Sequence, residues 1–365
     1  MPALPVRPEL AGVEPYGAPQ LDVPVLLNVN ENPFAPSAAV VEEIARRVTE
    51  AAHGLNRYPD REFLALRAEL AGYLALESGV ELTPEQVWAA NGSNEVMLHL
   101  LQAFGGPGRT ALSFAPTYSM YPEYARDTQT RWVAVERASD FSIDPAVARA
   151  AIAEHAPTVV LLASPNNPTG TALGLDVVRT VLDAAAEVAG GCVVVVDEAY
   201  AEFRRAGTPS ALTLLAEHPH LAVTRTMSKA FGMAGARVGY LAAARELVDV
   251  LRVVRLPYHL SAVTQAVARA ALAHADELMA QVGALRAERD ELVAWLRARG
   301  LQVADSDANF VMFGVFDNRR TLWQGLLDRG VLIREVGPPG WLRVSVGTPS
   351  ETAAFKDALV EVAGL

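Results

Sequence analysis

Lysine is rare in this chain, and one of its two lysines lies in a segment suited to chemistry. Among 31 basic residues, only Lys229 and Lys356 carry a primary amine. Lys229 lies in TMSKAFGMAGARVG, together with the hydroxyls of Thr226 and Ser228 and the guanidinium of Arg237. Such groups are typical ligands of a phosphate-like anion. The segment predicts an anion site beside an amine, and a solvated surface lysine is the ordinary alternative.

Polar side chains also follow other apolar runs. Asp197 ends CVVVVD, where a charge is costly unless it meets a cation or several hydrogen-bond donors. Tyr200 lies three residues later, and Asn167 belongs to SPNNPTG after the run TVVLLA. Helix capping accounts for many single aspartates at strand ends. Because ligands bind at the carboxyl ends of strands in open α/β sheets, we expect these residues and Lys229 to face one crevice.

The elements that must position these residues alternate between strands and helices. Short apolar runs predict six strands, namely TALSF, RWVAV, TVVLLA, CVVVVD, LAVTRT and RVGYLA. Helical patterns such as LDVVRTVLDAAAEVA separate several of them. Continuous β-branched runs are typical of strands buried on both faces. The pattern therefore predicts an α/β protein with a parallel or mostly parallel sheet.

Length and local composition predict two domains and an arm. A chain of 365 residues exceeds the usual size of a single domain. Residues 1–35 are rich in proline and turn residues and are predicted to form an N-terminal arm. Residues 36–257 carry the alternating strands and helices of a large α/β domain. Residues 258–365 predict a smaller α+β domain that begins with helices.

The amino-acid composition limits the kinds of ligand and partner that the protein is expected to bind. The formal net charge of −11 disfavours nucleic acid, which repels acidic proteins. No stretch of about 18 apolar residues predicts a membrane span, and the one cysteine, Cys192, cannot form an intrachain disulfide. We expect a cytoplasmic protein. The dispersed histidines, and the lack of Gly-rich nucleotide motifs, predict neither a metal nor a dinucleotide site.

Five motifs occur in a fixed order along the chain, namely GSNE at 92–95, PTYSMY at 116–121, SPNNPTG at 164–170, DEAY at 197–200 and SKAFGMAGARVGY at 228–240. They make the chain resemble the class I and II aminotransferases of the aspartate aminotransferase family, which have fold type I. More narrowly, LNVNENPFAPS, NRYPDRE, NFVMF, GVLIR and LRVSVGT resemble the histidinol-phosphate aminotransferase subfamily. The resemblance implies a large cofactor-binding domain and pyridoxal 5'-phosphate as the cofactor.

The resemblance also implies a role for each matching residue around the cofactor ring. Lys229 would form the imine bond with the cofactor aldehyde and then move the substrate proton. Asp197 would pair with the pyridine nitrogen and keep it protonated. Tyr200 and Asn167 would donate to the phenolic oxygen, and Tyr118 would lie against the ring face.

The cofactor phosphate is expected at the start of a helix. In the family, the backbone amides of the residues matching Ser93 and Asn94 bind this phosphate, as the positive end of a helix favours an anion. Thr226, Ser228 and Arg237 would complete the site.

The remaining family positions concern the partner subunit and the substrate. Tyr58 would reach the phosphate from the neighbouring subunit, which implies a homodimer with shared active sites. Arg343 would bind the acid group of the substrate with Arg334 as its helper, since two guanidiniums suit a doubly charged phosphate. Tyr16 and Asn30, from the arm, match residues that close over the substrate.

The predicted reaction moves an amino group between L-histidinol phosphate and 2-oxoglutarate, in histidine biosynthesis. Three alternatives use the same cofactor site. The first is an aminotransferase for phenylalanine or tyrosine, the second a decarboxylase of threonine phosphate, and the third a non-catalytic regulator that binds pyridoxal phosphate. Fold alone does not choose among them.

Overall fold

A computed structural model describes residues 4–365 of the chain. The helices of this part are α1 Ala38–Ala52, α2 Leu64–Ser78, α3 Ser93–Phe104, α4 Tyr121–Asp127, α5 Pro145–His155, α6 Leu175–Ala186, α7 Arg245–Val254, α8 Ala262–Ala273, α9 Ala275–Ala298, α10 Arg319–Asp328 and α11 Pro349–Ala363. The strands are β1 Val25–Leu26, β2 Val87–Ala90, β3 Thr110–Ala115, β4 Arg131–Glu136, β5 Val159–Ala163, β6 Val193–Asp197, β7 Leu221–Thr226, β8 Gly239–Ala243, β9 Gln302–Val303, β10 Phe310–Gly314, β11 Val331–Leu332 and β12 Leu342–Ser345.

A seven-stranded sheet forms the centre of the molecule. Its strand order is β2-β8-β7-β6-β5-β3-β4. All neighbouring pairs are parallel except those that involve β8, which runs antiparallel to both β2 and β7. The mostly parallel sheet predicted from the apolar runs is therefore confirmed, and the six predicted strands correspond to β3 through β8.

Burial explains why these segments form strands. Every residue of β5, β6 and β7 is buried, as expected for parallel strands covered by helices on both faces. The valines of β6 suit such a position because branched side chains pack well on a pleated surface. The helix α6 connects β5 to β6 and buries one face on the sheet. This packing aligns the carboxyl ends of the three strands along one edge.

The C-terminal region has a smaller sheet of its own. Strand β10 lies between β12 and β9 and is antiparallel to both. Side chains of α9, α10 and α11 pack against this sheet in a separate apolar cluster that includes Leu296, Phe313 and Phe355. A capping box formed by Thr348 and Glu351 starts α11. The predicted α+β pattern is present here.

Two features add detail to the domain division predicted from sequence. The arm is not wholly irregular, because β1 pairs in parallel with β11 and thereby joins the C-terminal region. Helix α8 lies after the predicted boundary at residue 257, yet Ala268 and Ala271 belong to the apolar core of the large sheet. The boundaries at 35 and 257 stay predictions. In the described residues, no helix has the length and apolar character needed to cross a membrane.

A glycine in β8 allows the strand to lie directly against the start of α3. A Cβ added to Gly239 would collide with the backbone nitrogen of Ser93 and with the neighbouring Gly92 backbone. By contrast, a Cβ added to Gly283, inside α9, would meet no atom within 4 Å.

We therefore predict opposite effects for two glycine-to-alanine substitutions. Gly239→Ala should lower the free energy of unfolding by about 1–3 kcal/mol, because backbone atoms cannot move aside easily. Gly283→Ala should leave stability unchanged or raise it by up to about 1 kcal/mol, since alanine favours helix. Thermal unfolding of both variants tests this, and equal midpoints would contradict it.

Candidate active site

The carboxyl ends of β5, β6 and β7 open into one cavity of about 460 Å³. All of the site residues predicted from sequence line this cavity, with the single exception of Tyr58. They are Tyr16, Asn30, Ser93, Asn94, Tyr118, Asn167, Asp197, Tyr200, Thr226, Ser228, Lys229, Arg237, Arg334 and Arg343. The fold thus brings together segments that are more than 300 residues apart in the chain.

Asp197 is a buried carboxylate at the end of β6. It accepts hydrogen bonds from the hydroxyls of Tyr121 at 2.9 Å and Thr224 at 3.1 Å. Burial raises the pKa of the Asp197 carboxyl to about 6, against the opposing effect of these bonds. No cation is among the described groups that set this pKa. The site therefore offers a buried negative charge to a cationic ligand group.

Lys229 presents its amine to the same cavity. Its Nζ donates to the carbonyl oxygen of Val29 at 2.9 Å. Burial lowers the pKa of the Lys229 amine to about 8, with the positive charges of Arg343 and Arg237 acting in the same direction. About a tenth of such an amine is neutral at pH 7. Lys229 is therefore suited to act as a nucleophile or a base.

The start of α3 provides an anion site. Ser93 and Asn94 are the first two helical residues, so helix geometry gives their amides no intrahelical acceptor. Gly92 precedes them with φ of +84°, a conformation that favours glycine. A Cβ at Gly92 would also lie 2.5 Å from Nη2 of Arg237. The missing side chain lets the guanidinium lie beside the helix start.

Hydroxyl groups complete this anion site. Ser228 receives hydrogen bonds from Thr226 Oγ1 at 3.0 Å and from Arg237 Nη1 at 3.3 Å. Arg237 itself has φ of +54°, in the left-handed region. Two helix amides, two hydroxyls and one guanidinium therefore surround one end of the cavity, which fits a phosphate group.

The hydroxyl of Tyr200 lies between two side-chain amides. It accepts from Asn30 Nδ2 at 3.0 Å and from Asn167 Nδ2 at 3.4 Å. Asn167 is held in turn by Arg343, whose Nη1 donates to Asn167 Oδ1 at 2.5 Å. Burial raises the pKa of the Tyr200 phenol, so Tyr200 is a neutral hydrogen-bond donor at physiological pH.

Arg334 and Arg343 form a pair of basic residues in the lining of the same cavity. Their backbones exchange two hydrogen bonds of 2.9 Å, from Arg334 N to Arg343 O and from Arg343 N to Arg334 O. Residues paired in this way project from the same face of a sheet. Arg343 is 5% exposed, and its Nε is buried without a protein partner among the described residues. The pair offers two guanidiniums to an anionic ligand.

The arm closes part of the cavity. Tyr16 forms a hydrogen bond of 2.8 Å with Ser119, which joins the arm to the loop after β3. Farther along, the Asn28 carbonyl accepts from Nη2 of Arg343 at 2.8 Å. Arg334 contacts the carbonyl of Gly17 at 3.5 Å. Arm residues therefore contact both arginines and both sides of the cavity.

Tyr58 lies away from the cavity of its own chain. Its side chain is 79% exposed and stacks on Tyr258, with ring centroids 4.4 Å apart. Leu256, two residues before Tyr258, is 74% exposed, and Leu55, three residues before Tyr58, is 55% exposed. We refer to the exposed side chains of Leu55, Tyr58, Leu256 and Tyr258 as the patch.

Three residues that support the site were not identified from sequence. Tyr121 belongs to the motif PTYSMY, yet its bond to Asp197 depends on the packing of α4 against the sheet. Thr224 and Ser345 could have been identified from their spacing in the sequence. Thr224 lies two residues before Thr226, and Ser345 two residues after Arg343, and residues two apart in a strand share a face.

The chemistry of this cavity combines an amine of lowered pKa, a buried carboxylate and an anion site. Residues 4–365 contain no group of three His, Cys, Asp or Glu side chains that could hold a metal ion. The arrangement suits a cofactor that has a phosphate at one end, a cationic ring atom at another and a carbonyl group that reacts with an amine.

Comparisons with known proteins agree with this geometry. Residues 23–359 match the family described as aminotransferase class I and II. The histidinol-phosphate aminotransferase of Thermobifida fusca is 62% identical over 361 residues, which cover 99% of this chain and 96% of that protein. A histidinol-phosphate aminotransferase from Burkholderia lata is 61% identical, over 99% of this chain and 96% of its own length.

Solved structures share the architecture. The histidinol-phosphate aminotransferase of Sinorhizobium meliloti, in complex with pyridoxal-5'-phosphate, matches with a TM-score of 0.82 and 25% identity, over 93% of this chain and 91% of that one. The fold type I architecture expected from the motifs is confirmed. Since the family match spans nearly the whole sequence and a relative is 62% identical, the chain belongs to the class I and II aminotransferases.

Proposed function

We propose that this protein is a histidinol-phosphate aminotransferase that uses pyridoxal phosphate to move an amino group between L-histidinol phosphate and 2-oxoglutarate. The paired backbones of Arg334 and Arg343 are the observation that carries the substrate assignment. Both arginines line the cavity that Lys229 also lines. The relatives that bear this name are 55–62% identical to the chain and support the same assignment.

The described residues fit each part of pyridoxal phosphate. The amides of Ser93 and Asn94 and the side chain of Arg237 would hold the phosphate, in the space that the absent side chain of Gly92 leaves. Asp197 would face the pyridine nitrogen, because its buried charge lacks a cation among the described residues. Tyr118 would lie against the ring.

The acid–base groups of the chain then have defined tasks. When bound, pyridoxal phosphate supplies an electron sink that stabilises negative charge at the substrate Cα. Asp197, ionised above about pH 6, holds the proton on the pyridine nitrogen. Lys229 takes and returns the proton at the substrate Cα, which requires its neutral amine. Tyr200, whose oxygen accepts one proton of Asn167 Nδ2, would donate its own proton to the phenolic oxygen of the ring, and Asn167 would donate there with the second proton of Nδ2.

The arginine pair accounts for both substrates. Histidinol phosphate has a phosphate and no carboxylate, and a doubly charged group is well matched by two guanidiniums. The unpartnered Nε of buried Arg343 is available to such a ligand. Each of the two carboxylates of 2-oxoglutarate carries a single charge and needs fewer donors, and Arg343 would be the main partner of the one beside the keto group. Tyr16 and Asn30 would cover the bound substrate from the arm.

A homodimer with shared active sites is part of the proposal. The exposed patch of Leu55, Tyr58, Leu256 and Tyr258 is the kind of apolar surface that marks a protein interface. Stacking on Tyr258 fixes the ring of Tyr58 while its side chain points out of its own chain. Tyr58 would therefore donate to the cofactor phosphate in the site of the partner subunit.

The cofactor assignment predicts one labelled lysine and a defined pH dependence. Covalent attachment of pyridoxal phosphate to the cofactor-free protein should speed up as pH rises through about 8 and then level off, because the neutral amine of Lys229 reacts. Borohydride reduction followed by peptide mapping should place the label on Lys229. Lys356→Arg keeps the ion pair with Glu291 and serves as the control, with unchanged labelling. Label on Lys356 alone would overturn the assignment.

The shared-site proposal predicts complementation between two inactive or weakened variants. Tyr58→Phe should weaken cofactor binding by about 10- to 100-fold, since a hydrogen bond to a charged phosphate is lost. Lys229→Ala should be inactive. A hybrid of one Tyr58→Phe subunit and one Lys229→Ala subunit should regain about half of the wild-type activity, because one of its two sites combines the intact residues of both chains. Mixed subunits with no such gain would show that Tyr58 does not contribute to the site of the partner subunit.

The substrate assignment predicts a selective effect of Arg334→Ala. This variant leaves the phosphate of histidinol phosphate with one guanidinium and should lose about 2–4 kcal/mol in kcat/KM. Phenylalanine, with a single negative charge held mainly by Arg343, should lose far less. Arg320→Ala removes a nearby exposed guanidinium that pairs with Glu335 and serves as the control. Equal losses on the two amino donors would favour an aromatic aminotransferase.

A further inference from the structure

Ser345 is a buried hydroxyl residue on the strand that also carries Arg343. It is 3% exposed, at the end of β12, and Arg343 lies two residues earlier on the same face. Ser345 does not line the cavity. Its Oγ forms two hydrogen bonds with Asn30 of the arm, one to the backbone and one to the side chain. Neither bond reaches the substrate or the cofactor directly.

The bond between the Asn30 backbone and Ser345 determines the direction of the hydrogen bonds that connect Ser345 to Tyr200. The backbone N–H of Asn30 can only donate, and it donates to Ser345 Oγ at 2.8 Å. The serine proton is therefore free to donate to Asn30 Oδ1 at 3.0 Å. That bond fixes the carbonyl side of the Asn30 amide and turns Nδ2 toward Tyr200, to which it donates at 3.0 Å.

A second series of hydrogen bonds, from Arg343 through Asn167, also makes the Tyr200 oxygen an acceptor. The guanidinium of Arg343 can only donate, and it donates to Asn167 Oδ1. The other side of this amide, Asn167 Nδ2, is therefore turned toward the Tyr200 oxygen at 3.4 Å. Both amides give protons to Tyr200, so its oxygen acts as the acceptor for both. The phenolic proton of Tyr200 is left to point into the cavity.

We propose that Ser345 is a positioning residue, which acts through Asn30 to keep the phenolic proton of Tyr200 directed at the cofactor. The proposal rests on the proposed function, because it assigns Tyr200 the phenolic oxygen of pyridoxal phosphate as its acceptor. Without the Ser345 hydroxyl, the Asn30 amide can rotate and present Oδ1 to Tyr200. Tyr200 would then donate to Asn30 and not to the cofactor.

The measurable consequence is the pKa of the cofactor–Lys229 linkage in the substrate-free enzyme, read from its visible absorption as pH is varied. A hydrogen bond to the phenolic oxygen withdraws charge from it and makes the linkage easier to deprotonate. Ser345→Ala should therefore raise this pKa by about 0.5 to 1 pH unit, which is the size of one net hydrogen bond. Ser345→Thr keeps a hydroxyl and should restore the wild-type value.

Two further variants separate positioning from general damage. Ser113→Ala removes another buried serine hydroxyl, which donates to Leu161 O in the central sheet, and should leave the linkage pKa unchanged. Asn30→Asp replaces the Nδ2 donor by an acceptor and should raise the linkage pKa at least as much as Ser345→Ala. If Ser345→Ala does not fold, Asn30→Asp still tests whether the direction of the Asn30 amide sets the linkage pKa.

The double variant of Ser345→Ala and Tyr200→Phe shows whether Ser345 acts through Tyr200. Tyr200→Phe removes the hydroxyl and should raise the linkage pKa by itself. If Ser345 acts through Tyr200, adding Ser345→Ala to Tyr200→Phe should produce no further shift. The same shift with and without Tyr200, or an unshifted pKa in Ser345→Ala, would overturn the proposal. A wild-type protein that forms no absorbing linkage with Lys229 would instead overturn the proposed function, and this proposal with it.

Discussion

The burial of Asp197 is the constraint on which the rest of the site depends. A carboxylate at the end of a fully buried strand is stable only with hydrogen bonds and a cationic partner. The hydroxyls of Tyr121 and Thr224 supply the hydrogen bonds, whereas no cation is among the described groups that set its pKa. The parallel sheet creates this situation, because it buries β6 on both faces and ends it at a cavity. In the proposed function, a cofactor with a protonated ring nitrogen would supply the missing cation.

The opposite electrostatic shift occurs at Lys229, in the same cavity. Burial raises the pKa of Asp197 and lowers the pKa of Lys229, since in each case the charged form loses its hydration. Arg343 and Arg237 lower the pKa of the lysine and also favour an anionic ligand. In the proposed function, these arginines would keep the amine partly neutral and would also bind the acid groups of the substrate and of the cofactor.

The C-terminal sheet contributes more than substrate contacts. Strand β12 carries both Arg343 and Ser345, and each of them fixes the direction of one amide beside Tyr200. The arm lies between this strand and the cavity, held by the Asn28 carbonyl and by Asn30. In the proposed function, the arginine that binds the acid group of the substrate and the serine that positions the phenol of Tyr200 therefore lie on one strand.

The sequence by itself determined the mostly parallel sheet and the placement of Lys229, Asp197 and Asn167 around one cavity. These conclusions depend on short-range signals: apolar runs that predict strands, and polar motifs that follow them at the carboxyl ends. Tertiary structure alone decided that Tyr121 reaches Asp197, that Tyr58 stacks on Tyr258 and that Ser345 contacts Asn30, 315 residues earlier. Those contacts join elements distant in the chain, and their hydrogen-bond directions depend on packing that no local pattern encodes.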